Sequence, residues 1–87
     1  MKMLNASHLK TLQLVFSTPV PCSLEWRRIE VLFMALGALV SEGRGSRVRF
    51  EINQVVASFH RPHPEKEAKA YQVRDARAFL EAIGVIP

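Results

Sequence analysis

The most regular pattern in the chain is a strict alternation of apolar and charged positions in Arg47-Val48-Arg49-Phe50-Glu51-Ile52. After Asn53-Gln54 the chain returns through Val55-Val56-Ala57-Ser58-Phe59-His60. A period of two is the mark of a strand with unlike faces, and two such runs separated by two residues read as a hairpin. With Asn53 and Gln54 as the turn, Ile52 lies opposite Val55, Phe50 opposite Ala57 and Val48 opposite Phe59, so one face is wholly apolar. The other face pairs Glu51 with Val56, Arg49 with Ser58 and Arg47 with His60. Asn-Gln is a poor pair for a type I′ turn, because Gln54 must accept positive φ. A slip of one residue would bury the arginines, which costs far more than a strained turn and argues for this register.

Around the hairpin the periodicity becomes helical. Leu9, Leu12 and Phe16, with Val15 beside them, predict a short amphipathic helix from Ser7 to Phe16, after a frayed start over residues 1–5. Ser17-Thr18-Pro19-Val20-Pro21 stops it, since proline lacks an amide donor and biases its predecessor away from helix. Ser23 is the expected N-cap of the main helix, with Glu25 in its first turn and Trp26, Ile29, Leu32, Phe33 and Leu36 in one stripe. Gly37 is its expected left-handed stop. Trp26 could serve as a base-stacking platform, but its place in the stripe assigns it to the core.

Ala38 to Glu42 is expected to be a third strand, and the prolines of His60-Arg61-Pro62-His63-Pro64 end the sheet. Glu65 to Lys69 reads as a solvated link or a first helical turn. Val73, Ala76, Phe79, Leu80 and Ile83 predict a last helix from Tyr71 to Ile83, closed by Gly84, with Arg77 and Glu81 spaced to pair in solvent. The order α-α-β-β-β-α specifies an α+β fold, a three-stranded antiparallel sheet covered on its apolar face by helices.

The totals narrow the function. The 87 residues suit a single domain, and a net charge of +4 with a pI near 9.8 favours a polyanionic or acidic partner. Cys22 is the only cysteine, which excludes an intrachain disulfide and suits a reducing cytoplasm; it is expected to be a small, half-buried thiol. No signal peptide or membrane span is indicated, so a soluble cytoplasmic protein is expected.

Glu42-Gly43-Arg44-Gly45-Ser46 leading into a strand, a strand ending in His60-Arg61-Pro62-His63-Pro64, and a closing helix ending in Phe79-Leu80-Glu81-Ala82-Ile83-Gly84 carry a resemblance. Together with a main helix ending in Ala35-Leu36-Gly37, they resemble the HicA toxin family of bacterial toxin–antitoxin systems over roughly Ser7 to Val85, with the first helix an addition typical of a longer subgroup. The resemblance implies a fold like that of double-stranded-RNA-binding domains. It implies a metal-independent endoribonuclease acting on mRNA and held inactive by a HicB-type antitoxin. The family pattern places a catalytic histidine directly after the Gly-Ser, where this chain has Arg47.

RNA cleavage without a metal needs a base for the 2′-hydroxyl, an acid for the leaving oxygen and positive charge at the phosphate. The expected catalytic pair is therefore His60 for proton transfer and Arg47 for the phosphate, facing each other across the hairpin. Arg44, Ser46, Arg49 and Arg61 are expected to bind RNA, although Arg44 could instead only keep its turn soluble. His63 is expected to join them in contacting RNA, with a second acid–base group and a turn cap as its other readings. His60 and His63 lack a third ligand for zinc, and no metal or other cofactor is expected. The alternative is a HicA-like module that has lost its catalyst and only binds RNA or a HicB-like protein. A DNA-binding repressor fits less well, because no basic recognition helix is visible.

Overall fold

The computed structural model describes residues 4–87. The elements are α1 (Ala6–Val15), α2 (Trp26–Ala35), β1 (Leu39–Glu42), β2 (Arg47–Ile52), β3 (Val55–His60) and α3 (Ala70–Ala82). The strands form an antiparallel sheet in the order β1-β2-β3, so the α+β architecture read from periodicity is the one observed.

The β2–β3 register is also the predicted one, from Arg47 opposite His60 to Ile52 opposite Val55. Asn53 and Gln54 both adopt positive φ, 51° and 68°, the signature of the type I′ turn. Burial of Val48, Phe50 and Phe59 on one face outweighs the strain at Gln54, since a slip of one residue would put the arginines in the core instead.

That apolar face packs on α2 and α3. Phe33 of α2 sits edge-on to Phe50 and to Phe79 of α3, each with ring centroids 5.0 Å apart, and Trp26 packs on Phe59 at 4.9 Å. Trp26 is thus a core residue, 4% exposed. α1 packs against both other helices. Its buried face is Thr11, Leu12 and Val15, so the helix is rotated from the expected stripe and Leu9 lies exposed.

Several local expectations need correction. Residues 1–3 of the expected frayed start lie outside the described residues, but Asn5 is a working N-cap: its side chain accepts from the His8 N–H at 2.8 Å, and His8 Nδ1 accepts from the Asn5 N–H. Ser23 does not cap α2. The N-cap is Glu25, and the Trp26 N–H donates to the Lys66 carbonyl at 2.9 Å. Ala68 N–H donates to the Leu24 carbonyl at 2.8 Å, so residues 66–68 pair with the approach to α2 and Ala68 is buried. The segment expected to be a solvated link is a structural strap, and its carbonyl supplies a partner for an otherwise orphaned helix-terminal donor. Cys22 is exposed rather than half-buried.

Arg77 does not pair with Glu81. Its Nε donates to the Val15 carbonyl and its Nη2 to the Ser17 carbonyl, both at 2.9 Å, while the guanidinium lies over the Phe16 ring. It closes the C-terminus of α1, where carbonyls lack intrahelical partners and a cation suits the helix dipole. No helix among the described residues is long and apolar enough to cross a membrane.

Candidate active site on the open sheet face

The face of the sheet away from the helices is built in three rows. Leu39, Glu51 and Val56 form one, Ser41, Arg49 and Ser58 the next, and Gly43, Arg47 and His60 the last, beside the β1–β2 turn. Arg47, Arg49, Ser58 and His60 are exposed, as required of side chains that alternate with Val48, Phe50 and Phe59.

The backbone fixes how closely Arg47 and His60 approach. Arg61 N–H donates to the Ser46 carbonyl at 2.8 Å, so the ladder continues one pair beyond β3. Because hydrogen-bonded and non-hydrogen-bonded pairs alternate, Arg47 and His60 form a non-hydrogen-bonded pair, the type in which facing side chains come closest. The His60 carbonyl is held from the helix side by Gln72 Nε2 at 2.6 Å, and Gln72 Oε1 accepts from the Lys69 N–H at 2.8 Å. Gln72 is buried, so α3 anchors the end of β3 while the imidazole stays in solvent. Among the described residues the imidazole has no hydrogen-bond partner.

The Gly43–Ser46 turn shapes the other side. Gly43 N–H donates to the Arg47 carbonyl at 3.0 Å, Arg47 N–H to the Arg44 carbonyl at 3.2 Å, and Gly45 takes φ of 61°. A Cβ on Gly43 would stand 3.1 Å from the Arg47 Cβ; glycine leaves room there for the arginine stem. Gly43, Arg44, Arg47, Val48, Arg49 and Ser58 line a shallow cleft of about 270 Å³. Arg44, Arg47 and Arg49 have no carboxylate partner among the described residues. Three free guanidiniums in one place are suited to bidentate contacts with phosphate oxygens.

Arg61, expected to contact phosphate, is engaged by two carboxylates. It follows His60, so its side chain turns to the helix side, where Nε and Nη2 donate to Glu30 and Nη1 to Glu42. Glu30 also accepts from the Trp26 indole N–H. Hydrogen bonds to Glu30 first, and then Glu42, raise the Arg61 pKa above its ordinary value. The guanidinium locks α2 to the ends of β1 and β3.

Ser46 is exposed and its carbonyl is part of the ladder. His63 is exposed in the segment after β3, outside the row that holds Arg47 and His60. Among the described residues, no three His, Cys, Asp or Glu side chains are grouped to hold a metal ion.

The supporting residues were the least visible in the sequence. Gln72 interrupts the apolar stripe of α3 at the position one turn before Ala76, and a lone amide in such a stripe is the signal that it serves a buried partner. Glu30 lies one turn after Trp26, with nothing local to show that Arg61 completes its pairing.

Comparison with curated proteins and with solved structures gives no significant match. Residues 26–85 match the family described as HicA toxin of bacterial toxin–antitoxin. That span runs from the first residue of α2 past the end of α3 and contains the sheet, the glycine turn and His60. The chain therefore belongs to the HicA toxin family, with α1 lying before the matched region.

Proposed function

We propose that the protein is the toxin of a type II toxin–antitoxin pair, an endoribonuclease that cleaves mRNA without a metal and is held inactive by a HicB-type antitoxin. The observation that carries this reading is the pairing of an exposed imidazole with an unpaired guanidinium: His60 faces Arg47 on a solvent-facing surface. Family membership supplies the setting.

His60 takes the proton of the 2′-hydroxyl, whose oxygen attacks the adjacent phosphorus. The bond to the 5′-oxygen breaks, and that oxygen takes a proton from the solvent that reaches this open face or from the imidazolium just formed. The products are a 2′,3′-cyclic phosphate and a 5′-hydroxyl end. Arg47 holds the phosphate oxygens as charge builds on them. Arg44 and Arg49 bind neighbouring phosphates, and the exposed Ser46 of the glycine turn contacts the same RNA strand. His63, exposed after β3 and outside the Arg47–His60 row, contacts RNA rather than taking part in the reaction.

Arg47 at the position of the usual family histidine favours one other reading, a module that binds RNA or the antitoxin without cleaving. Expression without antitoxin separates the two. The ribonuclease arrests growth with fragmented mRNA, and the His60→Ala variant folds, binds the same antitoxin and leaves RNA intact. Undiminished cleavage by that variant would remove His60 from the mechanism, and an inert wild-type protein would support the binding module.

A further inference from the structure

Among the described residues Glu51 is the one carboxylate on the open face, and its place there is not explained by phosphate binding. It is half-buried, and although Arg49 lies two positions away on the same face, it forms no ion pair among the described residues. Its cross-strand neighbours are Leu39 on β1 and Val56 on β3, which remain 69% and 46% exposed. An acid with an apolar side chain on each side, at the far end of a face that otherwise carries arginines, repels phosphate but accepts N–H donors.

We propose that Leu39, Glu51 and Val56 form a nucleobase subsite that selects guanine in the RNA strand held by Arg47 and Arg49. Leu39 and Val56 lie on strands flanking β2, one on each side of Glu51 with their Cα atoms about 10 Å apart, and offer exposed apolar surface beside its carboxylate against which a base can rest. Between them stands the Glu51 carboxylate. Of the four bases, only guanine offers two adjacent donors, N1–H and the N2 amino group, on its Watson–Crick edge, matching the two oxygens of a carboxylate. Adenine, cytosine and uracil each place an acceptor beside their donor and so oppose one oxygen. Single-stranded RNA exposes these edges. Glu51 lies about 13 Å along β2 from Arg47, so the base read is near the cleaved linkage without being part of it.

This inference rests on the open face being the RNA-facing one, and its test does not depend on cleavage. Binding is measured with uncleavable 2′-O-methyl oligouridine carrying one guanine, adenine or cytosine, or none, for the wild type, Glu51→Gln and Glu51→Ala. The guanine oligonucleotide is expected to bind wild type about tenfold more tightly than the others, as a bidentate base contact provides. Glu51→Ala is expected to bind all four equally, and Glu51→Gln to retain only a small preference. Because Glu51 lies outside the core, both variants are expected to fold as wild type. Equal binding of the four by wild type, a guanine preference surviving in Glu51→Ala, or no RNA binding at all would overturn the subsite; the first would leave Leu39 and Val56 as a protein contact. A guanine preference lost in Glu51→Ala, in a protein that cleaves nothing, would sustain the subsite while the ribonuclease reading fails.

Discussion

The buried Gln72 side chain donates to the His60 carbonyl at 2.6 Å, so the residue that presents the imidazole to solvent is held from beneath by the last helix. The same amide accepts from the first turn of α3. Removing it leaves the part-buried His60 carbonyl and a helix-terminal N–H without partners together. Gln72→Ala is expected to cost about 2 kcal/mol and to lower Tm by about 10 °C for a chain of this size, measured by thermal unfolding followed at Trp26. Cleavage is expected to fall further than the folded fraction explains, because the end of β3 loses its anchor. Unchanged Tm and activity would show that the contact is dispensable.

His60→Ala is expected to reduce cleavage at least about 100-fold, the range of a lost acid–base group, with little change in Tm because the side chain is exposed. Arg47→Ala is expected to lose about 100- to 1000-fold, as for a lost transition-state donor. Arg47→Lys should recover part of this but not all, since an ammonium keeps the charge and loses the fork. Single-turnover cleavage of a labelled RNA measures both.

With Arg61 held by Glu30 and Glu42, Arg44, Arg47 and Arg49 are the arginines left to contact phosphates at this site. The logarithm of RNA affinity is then expected to fall against the logarithm of salt concentration with a slope of about −2, the value for three phosphates on a single strand. A slope of about −3 would bring in a fourth cation, Arg61 first. Arg49→Ala should flatten the dependence by somewhat less than one unit.

Glu30 accepts from both Trp26 and Arg61, so Glu30→Ala leaves a buried indole N–H and a guanidinium short of partners. The expected cost is about 2 kcal/mol, read from urea unfolding with the single tryptophan as reporter. Glu42→Ala touches the more exposed arm of the same arginine and is expected to cost well under 1 kcal/mol.

Arg77→Leu keeps apolar cover over Phe16 but removes both donors to the end of α1. It is expected to lose about 2 kcal/mol, as for hydrogen bonds from a charged group. Amide exchange should quicken in α1 before it does in the sheet. Because α1 lies before the matched family region, cleavage by the folded fraction is expected to stay near wild type.

What the sequence determined alone is what depends on neighbours along the chain. The alternation from Arg47 to His60 excludes any one-residue slip, which would bury the arginines in place of Val48, Phe50 and Phe59, and with a two-residue turn at Asn53-Gln54 it sets the strand faces and the facing of Arg47 and His60. The helical stripes around Phe33 and Phe79 were legible for the same reason. The partners of Arg61, Arg77 and Gln72 were decided only by tertiary structure. Each reaches a group 12 to 62 positions away, and no spacing rule encodes which distant carboxylate or carbonyl a packed fold delivers to a long polar side chain. The start of α2 belongs with them: Ser23 had the right chemistry for a cap, but the carbonyl of Lys66 was brought to Trp26 by the strap, and a donor satisfied by distant backbone needs no local side chain.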